Sequence, residues 1–251
     1  MEMTMHKPYV MSLAGLDPSG GAGLLADIKT FEAQRTTGLG VCTALTMQTD
    51  DEFLGVEWIP PHRIIAQATP LLEKFLVQFC KIGLVAHPDV LLEVLPALRA
   101  VRPGLQFILD PVLKASAGYT FHAALIRQWE AVLPYIYLLT PNYEEAIAMS
   151  GMPDGEQGAK KMAAHCAVLL KGGHRPDKPG WDSLYNGNGH TDFQPLSTDA
   201  FPKHGSGCVL SAAITASLAK GMHLQEACAA GKNYTLHYLQ SSPALLGHHH
   251  F

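Results

Sequence analysis

Residues 14–23 read Ala14-Gly15-Leu16-Asp17-Pro18-Ser19-Gly20-Gly21-Ala22-Gly23 and join an apolar run to a segment with helical spacing. Glycines at such a junction let the chain turn tightly and aim N–H groups at a ligand across a helix N-terminus. The segment has neither G-x-G-x-x-G nor G-K-[ST], so it is not a dinucleotide fingerprint or a Walker loop. Asp27 follows about one turn later and could face the same cavity, although an exposed helix carboxylate is an equally ordinary reading. A second cluster, Lys203-His204-Gly205-Ser206-Gly207-Cys208, opens another helix. Gly205 and Gly207 allow successive amides, including that of Ser206, to form an anion nest at the positive end of the helix dipole. A nest of this kind suits the charge that spreads over a phosphoryl group in transfer. In that field the Cys208 thiol is expected to ionise below its free pKa of about 8.5, which would make it a base or a nucleophile.

Two further groups fall at the ends of apolar runs. Asp110-Pro111-Val112 closes one, and Thr140-Pro141-Asn142 with Glu145 closes the next. Asp110, Asn142 and Glu145 would gather at one edge, and oxygen donors with their waters suit magnesium, which takes few protein carboxylates. Each alone is more often a helix cap or a turn former. Lys171 precedes Gly172-Gly173-His174 and could reach a nucleotide phosphate; the plainer reading is a strand-end lysine with its head in water.

The elements that must position these residues alternate. Apolar runs at Tyr9–Ala14, Gly40–Thr46, Cys80–Val85, Gln106–Leu109, Ile136–Leu139 and Val168–Leu170 predict strands buried on both faces. Between them, Ala22–Gln34, His62–Phe79, Pro88–Val101, His122–Leu133, Tyr143–Ser150 and Glu156–His165 have helical spacing. This order predicts an α/β fold with a mostly parallel central sheet and helices on both faces, whose ligands bind beyond the carboxyl ends of the strands. Asp182–Asn186 and His190–Gln194 predict a hairpin or two edge strands, and helices are expected at Cys208–Lys220 and Leu224–Leu239. No internal repeat or long linker divides the 251 residues, so one domain over 1–251 is expected, with 247–251 as a mobile tail.

Composition narrows the function classes. A net charge of −4 without a basic run argues against nucleic acid or an anionic membrane as the main partner. No apolar run approaches the roughly 20 residues that span a bilayer, and no signal peptide or anchor is read. Five scattered cysteines without metal-ligand spacing suit reduced thiols in the cytosol.

Taken in order, these segments resemble the hydroxymethylpyrimidine/phosphomethylpyrimidine kinases, a branch of the ribokinase-like superfamily that also contains pyridoxal kinases. The resemblance runs from about Tyr9 to Leu239. It is carried by A-G-x-D-P-S-G-G-A-G at 14–23, A-D-I-K at 26–29, K-I-G at 81–83, D-P-V at 110–112, T-P-N-x-x-E at 140–145, K-G-G-H at 171–174 and H-G-S-G-C at 204–208. It implies a three-layer fold and magnesium-ATP-dependent phosphorylation of 4-amino-5-hydroxymethyl-2-methylpyrimidine, and of its monophosphate, for thiamine synthesis in the cytoplasm. The resemblance further implies that Ala14, Gly15, Asp17, Gly21 and Asp27 border the pyrimidine, that Gln48 reads its edge, and that Leu84 and Val112 line the pocket. A carboxamide offers a donor and an acceptor side by side, as a 4-aminopyrimidine does. By the same resemblance Cys208 is the base beside the Gly205-Ser206-Gly207 anion hole, Asn142, Lys171 and Gly173 hold the nucleotide, Asp110 and Glu145 serve the metal, and the protein is a homodimer. The chain departs from the family where Thr49 follows Gln48, where Lys114 replaces a later lysine after Asp110, and in the approach Thr198–Lys203 to the anion hole. Pyridoxal kinase is the alternative substrate assignment; covalent thiol acyl transfer and a non-catalytic ligand-binding regulator are the readings outside that class.

Overall fold

The computed structural model describes residues 7–114, 126–173, 175–176, 178–187, 189–197 and 199–250. Among the described residues nine strands form one sheet in the order β3-β2-β1-β4-β5-β6-β7-β8-β9. The strands are β1 (Tyr9–Leu16), β2 (Thr37–Gln48), β3 (Phe53–Trp58), β4 (Val77–Ile82), β5 (Gln106–Leu109), β6 (Ile136–Leu139), β7 (Ala167–Leu170), β8 (Asp182–Asn186) and β9 (Gly189–Phe193). From β2 to β7 every neighbouring pair is parallel; β3 at one edge, and β8 with β9 at the other, run antiparallel. The helices are α1 (Gly23–Ala33), α2 (Pro61–Lys74), α3 (Pro88–Val101), α4 (Ile126–Val132), α5 (Tyr143–Ser150), α6 (Gly155–Met162), α7 (Ser206–Ala219) and α8 (Leu224–Gln240).

Side-chain alternation along the central strands sends neighbouring residues into different cores. Met11 and Leu13 of β1, Phe107 and Leu109 of β5, and Val168 and Leu170 of β7 enter the larger core, under α2 to α6. The residues between them face the other way: Ile108 and Leu169 meet Leu210, Ile214 and Leu218 of α7, while Val10 meets Phe31 of α1. A strand apolar on both sides is what such a three-layer arrangement demands. Helix α7 lies deep in its layer, with every residue from Val209 to Leu218 buried. That depth explains its near absence of charge, since an unpaired charge there would be costly.

Three differences from the sequence expectations matter for the site. Strand β2 begins at Thr37 rather than Gly40, because Gly38 and Gly40 leave room for Ile28 and Leu24 of α1 to pack on the strand. Strand β3 is new, and its Phe53 pairs with Gln48, so the hairpin holds the end of β2 in place. The predicted helix over 122–133 is described only from Ile126. His174, Asn188, Thr198, Phe251 and the segment 115–125 lie outside the described residues.

Toward the end of the chain, Leu246, Gly247 and His249 make specific contacts. Leu246 lies against Gly21, and Gly247 N–H donates to the Tyr238 hydroxyl at 3.3 Å. His249 packs on Tyr238 at a tilt, with ring centroids 4.9 Å apart and 40° between the planes. Burial pushes the His249 imidazole down to about 4. Among the described residues no helix is long and apolar enough to cross a membrane.

Candidate active site

The carboxyl ends of the parallel strands are stacked by their own backbone. Asp110 N–H donates to Ile82 O at 2.9 Å, Thr140 N–H to Leu109 O at 2.9 Å, and Lys171 N–H to Pro141 O at 2.8 Å. This ladder carries three separate sequence motifs to one edge. Above it opens a cavity of about 710 Å³. On the β2 side its walls include Gly15, Thr46, Gln48, Phe53, Leu84 and Val112. On the β7–β9 side they include Gly173, Asp182, Leu196, Ala200, Lys232 and Leu236. Asp110, Lys171, Glu145, Asn142 and the turn 205–208 line the ground between.

The turn before α7 has the geometry of an anion hole. Gly205 caps the helix with φ +72, a left-handed conformation that favours glycine. A β-carbon there would also stand 2.1 Å from Gly21 O, so the two glycine-rich loops touch without room for a side chain. Val209 N–H is the first of the helix to reach back, to Gly205 O at 3.0 Å. The N–H groups of Ser206, Gly207 and Cys208 therefore lie in the first turn, where a helix has no internal acceptor. Lys171 and Asp110 approach the same point: a β-carbon at Gly207 would lie 3.3 Å from Lys171 Nζ and 3.7 Å from Asp110 Oδ2.

Lys171 Nζ donates to Asp110 Oδ1 at 2.7 Å and stands 3.6 Å from Glu145 Oε2. Burial works against charge on Asp110, but the Lys171 and Lys81 ammonium groups outweigh it and hold Asp110 below the usual range. Glu145 fares differently, because burial and the neighbouring Asp110 push it up to about 7 against the pull of Lys171. Glu145 and Asn142 also close a capping box on α5: Glu145 N–H donates to Asn142 Oδ1 at 2.8 Å, and Asn142 N–H to Glu145 Oε2 at 2.6 Å. The cap is a structural role that leaves both residues facing the cavity. Two carboxylates against one nearby ammonium leave this corner with an excess of negative charge when both are ionised, while burial is the main cause of the raised Glu145. A hard cation held through oxygen donors and waters fits such a donor set. Among the described residues no three or more His, Cys, Asp or Glu side chains converge on one metal position.

Cys208 overturns an expectation. Burial pushes its thiol up to about 11, although Lys81 and the N–H of Gly23 pull the other way. The helix N-terminus alone pointed to a lowered value, but burial and the carboxylates of Asp110 and Asp27 dominate. Three residues assigned to the pyrimidine also sit elsewhere. Asp27 is fully buried and does not line the cavity. Its oxygens accept from Lys81 Nζ at 2.9 and 2.8 Å and from Ser12 Oγ at 2.6 Å. Ala14 is buried behind the wall, and Gly21 packs on His204 and Leu246. Asp17 does line the cavity, yet both its oxygens are used within the protein, by Ser19, Ala22 and His204. Sequence reasoning missed Thr46, Phe53, Lys232, Leu236 and Leu239 as wall residues. The apolar positions of α8 carried no signal that set them apart from ordinary helix packing.

Comparisons with known proteins establish the family. The family described as Phosphomethylpyrimidine kinase matches residues 17–251. The Hydroxymethylpyrimidine/phosphomethylpyrimidine kinase of Rhizobium meliloti is 35% identical over 238 residues, covering 89% of this chain and 87% of the relative. The enzyme of that name from Escherichia coli is 33% identical, covering 98% of both chains. Among solved structures, the phosphomethylpyrimidine kinase of Clostridium difficile superposes with a TM-score of 0.77 at 31% identity, over 91% of this chain and 98% of that one. The pyridoxal kinase of Staphylococcus aureus in complex with pyridoxal gives 0.80 at 25% identity, over 93% and 88%. The chain belongs to the phosphomethylpyrimidine kinase family.

Proposed function

We propose that the protein transfers the γ-phosphoryl group of ATP to the hydroxymethyl oxygen of 4-amino-5-hydroxymethyl-2-methylpyrimidine, and then to the monophosphate so formed. Cys208 beside the Gly205–Gly207 turn, with Lys171 and Asp110 at its rim, is the observation that carries this reading. The pyrimidine occupies the β2 side of the cavity, where the Gln48 carboxamide pairs with its amino-imine edge and Leu84, Val112 and Phe53 supply the apolar walls. The nucleotide lies on the β7–β9 side, its base against Leu196, Ala200 and Leu236 and its phosphates directed at Lys171 and the α7 N-terminus. Identity near or above 30% to pyrimidine kinases favours this ring over pyridoxal, which similarity of fold alone does not separate.

Catalysis in this arrangement is positioning and electrostatics. The amides of the turn and the Lys171 ammonium offset the charge that spreads over the transferring group. Magnesium held by Asp110 and Glu145 through its waters would supply further neutralisation of the phosphates. Cys208 takes the hydroxymethyl proton as the oxygen attacks. Its thiolate is scarce at neutral pH but correspondingly basic, and Lys81 and Gly23 N–H are the groups that favour it. The activity rises with pH above about 8.5 rather than levelling there, because the buried thiol ionises later than a free one.

Substitution tests the assignment. Cys208→Asp retains phosphorylation, since a carboxylate accepts the same proton, whereas Cys208→Ser loses most of kcat because a neutral hydroxyl is a poor base. Wild-type turnover by Cys208→Ala, or a trapped phosphoryl-cysteine, would remove the base role. A homodimer is supported by an apolar patch at the β2–β3 edge, where Leu45, Met47 and Leu54 are exposed; sedimentation equilibrium tests it. Five free cysteines and the use of ATP support a cytoplasmic setting.

A further inference from the structure

The two glycine-rich loops are joined by a buried pair that the phosphoryl-transfer reading does not use. His204 Nε2 lies 2.9 Å from Asp17 Oδ2, across 187 residues of sequence, with side-chain exposures of 3% and 1%. Asp17 is an acceptor only: Ser19 N–H and Oγ–H donate to its Oδ1 at 2.9 and 2.8 Å, and Ala22 N–H to its Oδ2 at 2.8 Å. Burial would raise its pKa, but the His204 and Ser19 bonds outweigh that and hold it below the ordinary value. The proton on His204 is therefore assigned to Nε2, and Nδ1 is left buried with no partner among the described residues. A buried ring nitrogen left without a partner is unfavourable. An imidazole chosen for stability alone would be a poor choice there.

His204 is itself held from the far side. Its backbone N–H donates to Leu245 O at 3.0 Å, and its carbonyl accepts from the Tyr238 hydroxyl at 3.3 Å. The neighbouring Lys203 donates to the carbonyls of Ser242 and Ala244. The ring packs on Gly21, and Gly205 meets Gly21 O with no space between. The residue that grips Asp17 is thus the one immediately before the anion hole.

We propose that His204 is a positioning residue which, through Asp17, fixes the loop 17–22, whose Asp17 and Ala22 line the cavity, against the anion-hole turn 205–208 and so sets the acceptor alcohol in line with the transferring phosphoryl group. The proposal rests on the phosphoryl-transfer reading above. It makes a demand that a purely structural role does not. Loss of the link misplaces the alcohol but leaves the nucleotide site, so transfer to the alcohol falls far more than the slow reaction of ATP with water. A structural defect lowers both by the same factor, since it removes active molecules.

The test compares His204→Ala with His204→Gln, whose amide nitrogen reaches about as far as Nε2. In His204→Ala, kcat for the pyrimidine should drop about 10²-fold, the loss expected for an ångström-scale misplacement, with ATP hydrolysis and the ATP KM much less affected. His204→Gln should recover most of the transfer. Hydrogen exchange provides a readout independent of activity: loops 17–22 and 205–208 should both lose protection in His204→Ala. Should His204→Ala fold poorly, Tyr238→Phe releases the His204 carbonyl and should shift the transfer-to-hydrolysis ratio in the same direction. Parallel loss of transfer and hydrolysis, or unchanged protection in either loop, overturns the proposal. If the wild type phosphorylates no alcohol while the two loops still loosen together, the link stands and the kinase reading fails.

Discussion

Lys81 and Lys171 both bring an ammonium group near Cys208, but they sit in opposite surroundings. Lys81 and Asp27 are fully enclosed, one cation against one anion, and Ser12 takes part of the carboxylate's remaining capacity. Burial alone would lower Lys81, yet the Asp27 carboxylate holds it above its ordinary range. Lys171 stands at the cavity with two carboxylates, Asp110 and Glu145, and is one charge short of satisfying them. The closed pair is finished without a ligand. The open cluster is not: burial raises the carboxyl of both Asp27 and Glu145, so what differs is the count of charges, one carboxylate per ammonium at Lys81 and two at Lys171. Charge balance, more than the presence of a lysine, separates scaffold from site.

The largest expected effect falls on the closed pair. Lys81→Met leaves Asp27 buried and unpaired, which should cost about 3–5 kcal/mol. Urea unfolding reads this directly, and Lys81→Met combined with Asp27→Asn should regain much of the loss. A single variant as stable as the wild type would show that the pair is not a sealed unit. In the open cluster Lys171→Met should behave in the reverse sense. Glu145 can take up a proton to relieve the excess charge, so stability changes less, while kcat should fall about 10²–10³-fold with the loss of a donor to the developing charge. A stability loss matching that of Lys81→Met would erase the distinction.

Glu145→Gln is the mildest case. The folded carboxyl titrates at about 7 against 4.5 unfolded, so the folded state binds more protons between those values. The resulting stability is present below the unfolded pKa and is lost as pH rises, by up to about 1.4 kcal/mol per pH unit. Glu145→Gln should remove that slope and weaken the apparent magnesium affinity, with the helix cap retained through the amide oxygen. Urea midpoints measured from pH 4.5 to 7 for both proteins test the first effect. An identical slope in the variant would place the excess proton elsewhere.

The same contrast explains what could be read from the residues in order. The strand ends at Asp110, Thr140 and Lys171 were legible because each follows an apolar run buried on both faces. The turn at Gly205–Gly207 was legible because only glycine tolerates that approach. Asp27 was misplaced: its distance from Gly23 along the helix allows it to face the cavity, and nothing local reveals that Lys81, 54 residues later, claims it. The Cys208 thiol was misjudged for the same reason. A helix start is visible in sequence, whereas the burial and the carboxylates around the sulfur belong to tertiary structure. Strand β3 escaped because a half-exposed edge strand interrupted by Gly55 has neither strict alternation nor a continuous apolar run. His204 is visible as part of the motif before Cys208, but its partner Asp17 lies at the other end of the chain.

The proposed cavity chemistry, transfer of the γ-phosphoryl group of ATP to a pyrimidine alcohol, has a direct readout in its products. Incubation with ATP, magnesium and equal amounts of hydroxymethylpyrimidine, its monophosphate and pyridoxal, followed by mass analysis of the products, tests it most directly. The pyrimidine alcohol should be consumed, the diphosphate should accumulate, and pyridoxal should be left largely unphosphorylated. Pyridoxal phosphate as the main product, or ADP formed at the same rate without any alcohol, would contradict it.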